Sequence, residues 1–173
     1  MKSNLLNQNI IKRPWLLCVL ALTLLISFIY RDKSEFELCL DKAESGDSNA
    51  QYIVGLMYFN GEGVEINFHN ALQWFQKASK QENVKAQYAV GVMYYNGNGV
   101  TKDLAKAEEW FQKAAEQDYA NAQYNIGEMH YNGEGVTKDF AEAMKWFQKA
   151  AEQGNPNAQY NIGVMYYRGE SIK

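Results

Sequence analysis

The sequence predicts an all-α fold, an α-solenoid of helix–turn–helix units with an apolar helix at the N-terminus. The first observation behind this prediction is a period of 36 residues that runs from Asn49 to the C-terminus. The second is that apolar residues within each period follow helical spacing, and the third is that paired glycines separate the helical stretches. A fixed period of about 20–50 residues is typical of solenoids, in which each unit buries its apolar face against its neighbours.

The first helix of each unit follows an N-cap residue such as Asp47 or Asn155, and Pro156 then takes the first helical position. From Ala50 onward, apolar side chains recur with the spacing of one helical face. A glycine lies mid-helix at the same register of all four units, where it costs about 0.5–1 kcal/mol relative to alanine. We therefore expect another helix to pass too close for a Cβ at Gly55, Gly91, Gly127 and Gly163.

Each first helix is predicted to end at paired glycines, as in Gly61-Glu62-Gly63, because glycine readily adopts the positive φ that turns the chain. A good N-cap then recurs at the start of the second helix, at Asn67, Asp103 and Asp139. In the first unit, the row of residues that we expect to be buried is Phe68, Ala71, Phe75 and Ala78, with Trp74 beside it.

These motifs resemble those of the Sel1-like repeat family, which is related to the tetratricopeptide repeats. The resemblance rests on A-x-A-Q-Y-x-h-G-x-M-Y-x-N-G-x-G-V and A-x-x-W-F-x-K-A-A, and it covers Asn49 to Lys173. A capping box at Ser34-Glu35-Phe36-Glu37 predicts a degenerate cap helix before the first full unit. The expected array, 34–173, follows an N-terminal segment at 1–31 and divides into the cap at 34–48, full repeats at 49–84, 85–120 and 121–156, and a half repeat at 157–173.

An uncharged run, Trp15 to Tyr30, follows the basic pair Lys12-Arg13. As a helix this run spans about 24 Å at roughly 1.5 Å per residue, short of a ~30 Å hydrocarbon core. A signal peptide also needs small residues at its cleavage site, and Leu25-Ile26-Ser27 has a bulky residue at one of those positions. We therefore expect an uncleaved signal-anchor, single-pass in a bacterial inner membrane, with the repeats facing the periplasm. Cleavage and secretion is the alternative.

The composition argues against several function classes. The net charge is −3, and no basic patch interleaved with aromatic residues indicates a nucleic-acid partner. We interpret Cys18 and Cys39 as small apolar residues rather than as a disulfide. The glycine pairs lack the Gly-Lys-Ser/Thr ending of a phosphate-binding loop, and neither His69 nor His130 has a further ligand at metal-binding spacing. We therefore expect no cofactor and no metal.

One face of the first helix varies between units and is the candidate binding surface. Packing fixes the other two faces, whereas the residues of this row differ from unit to unit. By resemblance to tetratricopeptide arrays, the first helices line the concave side, so the rows would form a ladder along a groove. An ordinary solvated face is the alternative, although four clustered apolar residues favour binding. The predicted groove residues are Ile53, Leu56, Asn60, Ala89, Val92, Asn96, Asn125, Glu128, Asn132, Asn161, Val164 and Arg168.

Together these features predict a protein–protein interaction module or scaffold of the bacterial cell envelope that holds a peptide or protein in its concave groove. The alternative is a secreted virulence or host-protein-binding factor. Some Sel1-like proteins have been linked to β-lactam hydrolysis, but no nucleophile lies beside a base and an orienting acid, so we expect no enzyme. We also expect self-association, or partner docking, through residues 158–172, where no second helix follows to cover the apolar residues.

Overall fold

The computed structural model of the chain describes residues 33–170, which contain eight α-helices and no strand. The all-α prediction is therefore confirmed. The helices alternate between the first and second positions of consecutive hairpins, and each packs mainly against its neighbours in the chain. They are α1 (Glu35–Glu44), α2 (Ser48–Asn60), α3 (Phe68–Ser79), α4 (Val84–Asn96), α5 (Leu104–Ala115), α6 (Ala120–Asn132), α7 (Phe140–Glu152) and α8 (Pro156–Arg168).

Side-chain caps and left-handed glycines set the ends of the first helices, as predicted. The side chains of Asp47, Asn83 and Asn155 accept hydrogen bonds of 2.7, 3.1 and 3.0 Å from backbone N–H groups three residues further on. At the other end of α2, Gly61 has a φ of +79° and its N–H donates back into the last helical turn. The exception is α6, where Tyr119 occupies the cap position and forms no side-chain cap bond.

The second helices also begin where the sequence predicts. The Asn67, Asp103 and Asp139 side chains accept hydrogen bonds of 2.9, 3.0 and 3.0 Å from the first helical turn. One residue of the predicted buried row is wrong, because Phe68 is 36% exposed. Phe68 lies in the first turn of α3, where one face of its ring packs against Phe59 at a centroid distance of 5.2 Å.

The mid-helix glycine makes room for an aromatic ring. In three units, a Cβ on this glycine would lie 2.5 or 2.6 Å from a phenylalanine ring of the second helix. The pairs are Gly55 with Phe75, Gly91 with Phe111 and Gly127 with Phe147. The predicted close approach is confirmed there, with the correction that the neighbour is a side chain rather than a helix backbone. Nothing lies within 4 Å of Gly163, since no second helix follows α8 up to residue 170.

In the first and third units, a buried glutamine of the first helix forms hydrogen bonds both within its own unit and to the segment before it. Gln123 is 1% exposed and accepts a hydrogen bond of 2.7 Å from the side chain of Gln153, which follows α7. Its own amide donates to the Ala115 carbonyl of the preceding unit at 3.4 Å. The same contacts recur at Gln51 and at its partners. These glutamines recur in the Ala-Gln-Tyr motif of the repeat, but the sequence does not reveal their hydrogen bonds.

The helix α1 covers the start of the array. It begins at Glu35, as the capping box predicts, and its Ala43 packs in a core cluster with residues of α2. Cys39 is a half-buried free thiol. Between residues 33 and 170 no helix has the length and apolar character needed to cross a membrane. The expected anchor at Trp15 to Tyr30 lies outside the described residues.

Candidate partner-binding groove

The predicted groove residues form four rows, one on each of α2, α4, α6 and α8. None of them is buried, so this face is accessible along all four helices. The exposed members are Ile53, Asn60, Asn96, Asn132 and Arg168. The half-buried members are Leu56, Ala89, Val92, Asn125, Glu128, Asn161 and Val164.

Between α2 and α4 these rows border an apolar cavity of about 160 Å³. Leu56, Ala89 and Val92 contribute the aliphatic part of its wall. The remaining lining residues are Tyr52, Phe59, Phe75, Tyr88 and Met93. A cavity of roughly 150 Å³ accommodates a benzene-sized group. The cavity therefore has the volume and the lining to take one large apolar side chain.

The buried floor of this cavity belongs to the core. Phe75 and Met93 are each 1% exposed, and both pack in the core cluster that joins α3 to α4. The Tyr52 ring lies against Phe75 with a centroid separation of 5.7 Å. Because the floor is packed in the core, this part of the cavity is already formed before a partner binds, which lowers the entropic cost of binding.

The equivalent space between α4 and α6 is polar. Asn125 stands where α4 has Ala89, and its Nδ2 donates to the Tyr88 hydroxyl at 3.4 Å. Glu128 stands where α4 has Val92. Two substitutions at equivalent positions thus replace an apolar wall with an amide and a carboxylate. The groove is therefore apolar at its first junction and hydrogen-bonding at its second.

Tyrosine side chains of one unit also bond to the loop of the next. The Tyr95 hydroxyl donates to a carboxylate oxygen of Glu134, 39 residues away. The Tyr131 hydroxyl donates to Glu170 at the same spacing, with a distance of 2.9 Å, and accepts a hydrogen bond of 2.8 Å from Arg168. In the first unit, where the tyrosine position holds Phe59, the glutamate position of the next loop holds Asn98.

Carboxylates control the electrostatics of the polar stretch. Burial, together with the neighbouring Glu128 carboxylate, raises the pKa of Tyr124 to about 12. The hydrogen bond to Glu134, followed by burial, raises the pKa of Tyr95 to about 12. Asn161 donates to Glu128 at 3.4 Å. Within residues 33–170, no lysine, arginine or histidine forms an ion pair with Glu128. The carboxylate thus lies on the groove face without a counter-ion from residues 33–170.

The remaining cleft and the two histidines do not form a recognisable binding or catalytic site in residues 33–170. A polar cleft of about 490 Å³ lies beside the C-terminal ends of α5 and α7 and holds charges of both signs, including Glu116 and Lys149. The two histidines lie apart in the chain: His69 contacts Gln73, and Nδ1 of His130 is buried without a hydrogen-bond partner. Over the described range, no group of three or more potential ligands is placed to hold a metal ion.

Comparison with known proteins gives matches along the repeats. The sequence model of the Sel1 repeat matches residues 48–83, 84–119, 120–155 and 156–173. Each matched unit begins one residue before the corresponding unit of the sequence analysis. The comparison with curated proteins returned no match.

Solved structures give the same result. The chain is 40% identical, with a TM-score of 0.76, to a protective antigen of uropathogenic Escherichia coli that displays an SLR fold, covering 79% of this chain and 29% of that one. It is 38% identical, with a TM-score of 0.70, to a Sel1 repeat protein from Oxalobacter formigenes, covering 75% and 53%. Cysteine rich protein B of Helicobacter pylori shares the fold at 24% identity and a TM-score of 0.60, covering 72% and 92%. The chain thus spans less than a third of the first relative and about half of the second.

Proposed function

We propose that this chain, which belongs to the Sel1 repeat family and so to a class of protein-interaction scaffolds, holds a peptide or protein segment along the face formed by α2, α4, α6 and α8. The observation that carries the proposal is the apolar cavity between α2 and α4, which opens on the row of residues that varies between units. Variation on a fixed scaffold is what selective binding requires, because the core positions are constrained by packing. The scaffold itself performs no catalysis.

The location is a separate part of the proposal. Basic residues before the uncharged run Trp15 to Tyr30 support a signal-anchor in a bacterial inner membrane, with the repeats in the periplasm. The alternative is a secreted factor that binds host proteins, and 40% identity to a protective antigen favours it. Mass spectrometry of the mature protein distinguishes the anchored form from the secreted form, because cleavage removes the apolar run.

The groove is tested by crosslinking in the native envelope with the double variant Leu56→Glu and Val92→Glu. Two carboxylates on the cavity wall make it unfit for an apolar group, so we expect the crosslinked partner bands of the wild type to disappear. Circular dichroism and thermal unfolding should show that the variant remains folded. Since both residues are half-buried, Ile53→Glu, at a position 43% exposed, provides a milder second variant.

A matched control is Leu38→Glu on α1, where an exposed leucine lies outside the groove. This variant should retain the crosslinked bands. Bands that persist in the folded double variant would contradict the proposed groove. Bands that are lost equally in the control would place the interaction elsewhere on the array.

A further inference from the structure

We infer that the segment held in this groove carries one large apolar side chain and, a few residues away, a lysine or arginine that faces Glu128. The inference rests on the proposed function and adds to it the chemistry of the partner. The proposed partner is a basic peptide segment with one apolar anchor residue, and it lies across α2, α4 and α6.

The apolar requirement comes from the cavity at the first junction. Its walls offer aliphatic and aromatic carbon from Leu56, Val92 and Phe59, and its volume of about 160 Å³ suits a side chain the size of leucine, methionine or phenylalanine. Tyr52 stands at the position of Tyr88, but Ala89 lies opposite it instead of an amide. The Tyr52 hydroxyl is therefore available to the backbone of the partner at the rim.

The basic requirement comes from Glu128 at the second junction. Its carboxylate is half-buried beside Tyr124 and accepts a hydrogen bond from Asn161. Neither of these neighbours carries a positive charge, and across residues 33–170 no ion pair neutralises Glu128. A partly desolvated carboxylate gains most from an opposite charge close by. An ammonium or guanidinium group of the partner supplies the positive charge that residues 33–170 do not place beside Glu128.

The spacing of the two features limits the sequence of the partner. Val92 lines the cavity, and Glu128 occupies the equivalent place one unit further along. Packed helices lie about 8–10 Å apart, and an extended peptide advances about 3.3 Å per residue. The basic residue should therefore lie roughly two or three positions from the apolar one in an extended segment.

A random twelve-residue peptide library displayed on phage tests this inference, with the full chain immobilised as bait. We expect the wild type to enrich peptides with a large apolar residue and a lysine or arginine at that spacing. Bait carrying Glu128→Lys should lose the basic preference and enrich acidic residues at the same position. The matched control is Glu109→Gln on α5, an exposed carboxylate outside the groove, which should select the same peptides as the wild type.

A synthetic peptide of the selected sequence then allows the affinity to be measured by fluorescence polarisation. We expect Glu128→Gln to weaken binding by about tenfold, as for a close charge pair at an interface, and the Glu109 control to leave the affinity unchanged. Equal affinity for wild type and Glu128→Gln, or a library result without basic residues, overturns the inference.

The outcomes also separate this inference from the proposed function. Peptides that depend on Leu56 and Val92 but not on Glu128 would leave the groove in place and remove the charge requirement. Selection of wholly apolar peptides would point to a segment such as Trp15 to Tyr30 as the occupant and overturn the inference. Peptides that bind the Leu56→Glu and Val92→Glu bait as well as they bind the wild type would count against both.

Discussion

Helices α6 and α8 share the sequence Ala-Gln-Tyr-Asn-Ile-Gly but have different surroundings. Gln123 on α6 is 1% exposed, whereas the equivalent Gln159 on α8 is exposed. Tyr124 is half-buried, and Tyr160 is 72% exposed. The cause is α7, which places Phe147 against α6, while up to residue 170 no helix takes that position beside α8. The repeat sequence thus encodes a contact surface, and the following helix completes its burial.

Between α6 and α8, the largest expected difference in the free energy of unfolding comes from substitution of the mid-helix glycine. Gly127→Leu should lower the free energy of unfolding by about 1–3 kcal/mol or more, because even its Cβ would lie 2.6 Å from the Phe147 ring. At the equivalent Gly163, which has nothing within 4 Å, Gly163→Ala should raise it by about 0.5–1 kcal/mol through helix propensity. Thermal unfolding of both variants measures the contrast. An unchanged midpoint for Gly127→Leu would contradict the close contact.

A smaller difference in the free energy of unfolding between α6 and α8 is expected when the repeated glutamine is substituted. Gln123→Ala removes the acceptor of the partly buried 2.7 Å bond from Gln153 and the donor of the buried bond to the Ala115 carbonyl. Its loss should cost about 1–3 kcal/mol, since buried polar groups are left unpaired. Gln159→Ala, on the exposed helix, should stay within about 0.5 kcal/mol of the wild type. Urea unfolding gives both values, and equal losses would show that the buried hydrogen bonds contribute little.

The smallest expected effect is weak association through the uncovered side of α8. Tyr160, Tyr166 and Tyr167 are 72%, 56% and 93% exposed, and Ile162 is half-buried beside them. We propose that residues 158–172 mediate concentration-dependent self-association or partner docking, because exposed apolar area of this kind commonly marks contact sites. Sedimentation of the fragment from Asp32 onward should show it, and Ile162→Lys should reduce it. A monomer at high concentration in both proteins would remove the support for this surface.

The sequence predicts the helices and their ends well, because caps, glycines and helical periodicity act over a few residues. It also predicts the close approach at Gly55, Gly91 and Gly127, since the same costly residue recurs at one register. The outcome at Phe68 is different, because helical phase places it in the buried row but does not show how much of a first-turn side chain the neighbouring helices cover. Local sequence patterns thus predict the helices, whereas the burial of residues at the ends of helices becomes clear only from the structure.

The candidate groove is less predictable than the fold. Tyr52 lies on the first helix two residues after Ala50, and its ring both packs on Phe75 and lines the cavity. A helical wheel assigns each residue to one face of the helix, whereas a large aromatic ring can contact neighbours on two faces. The bonds of the repeated glutamines and tyrosines span 30 and 39 residues, so they become visible only when the hairpins are stacked.

The tyrosine–glutamate bond between units makes the hydrogen bonding at a junction depend on which repeats are adjacent. Loss of residues 85–120 would bring Phe59 before Glu134, and that carboxylate would lose the hydroxyl that now binds it. Duplication of residues 121–156 would instead place Tyr131 before a second copy of Glu134 and keep the pairing. A further copy of the third unit therefore keeps this hydrogen bond at each new junction, whereas loss of the second unit removes the bond to Glu134.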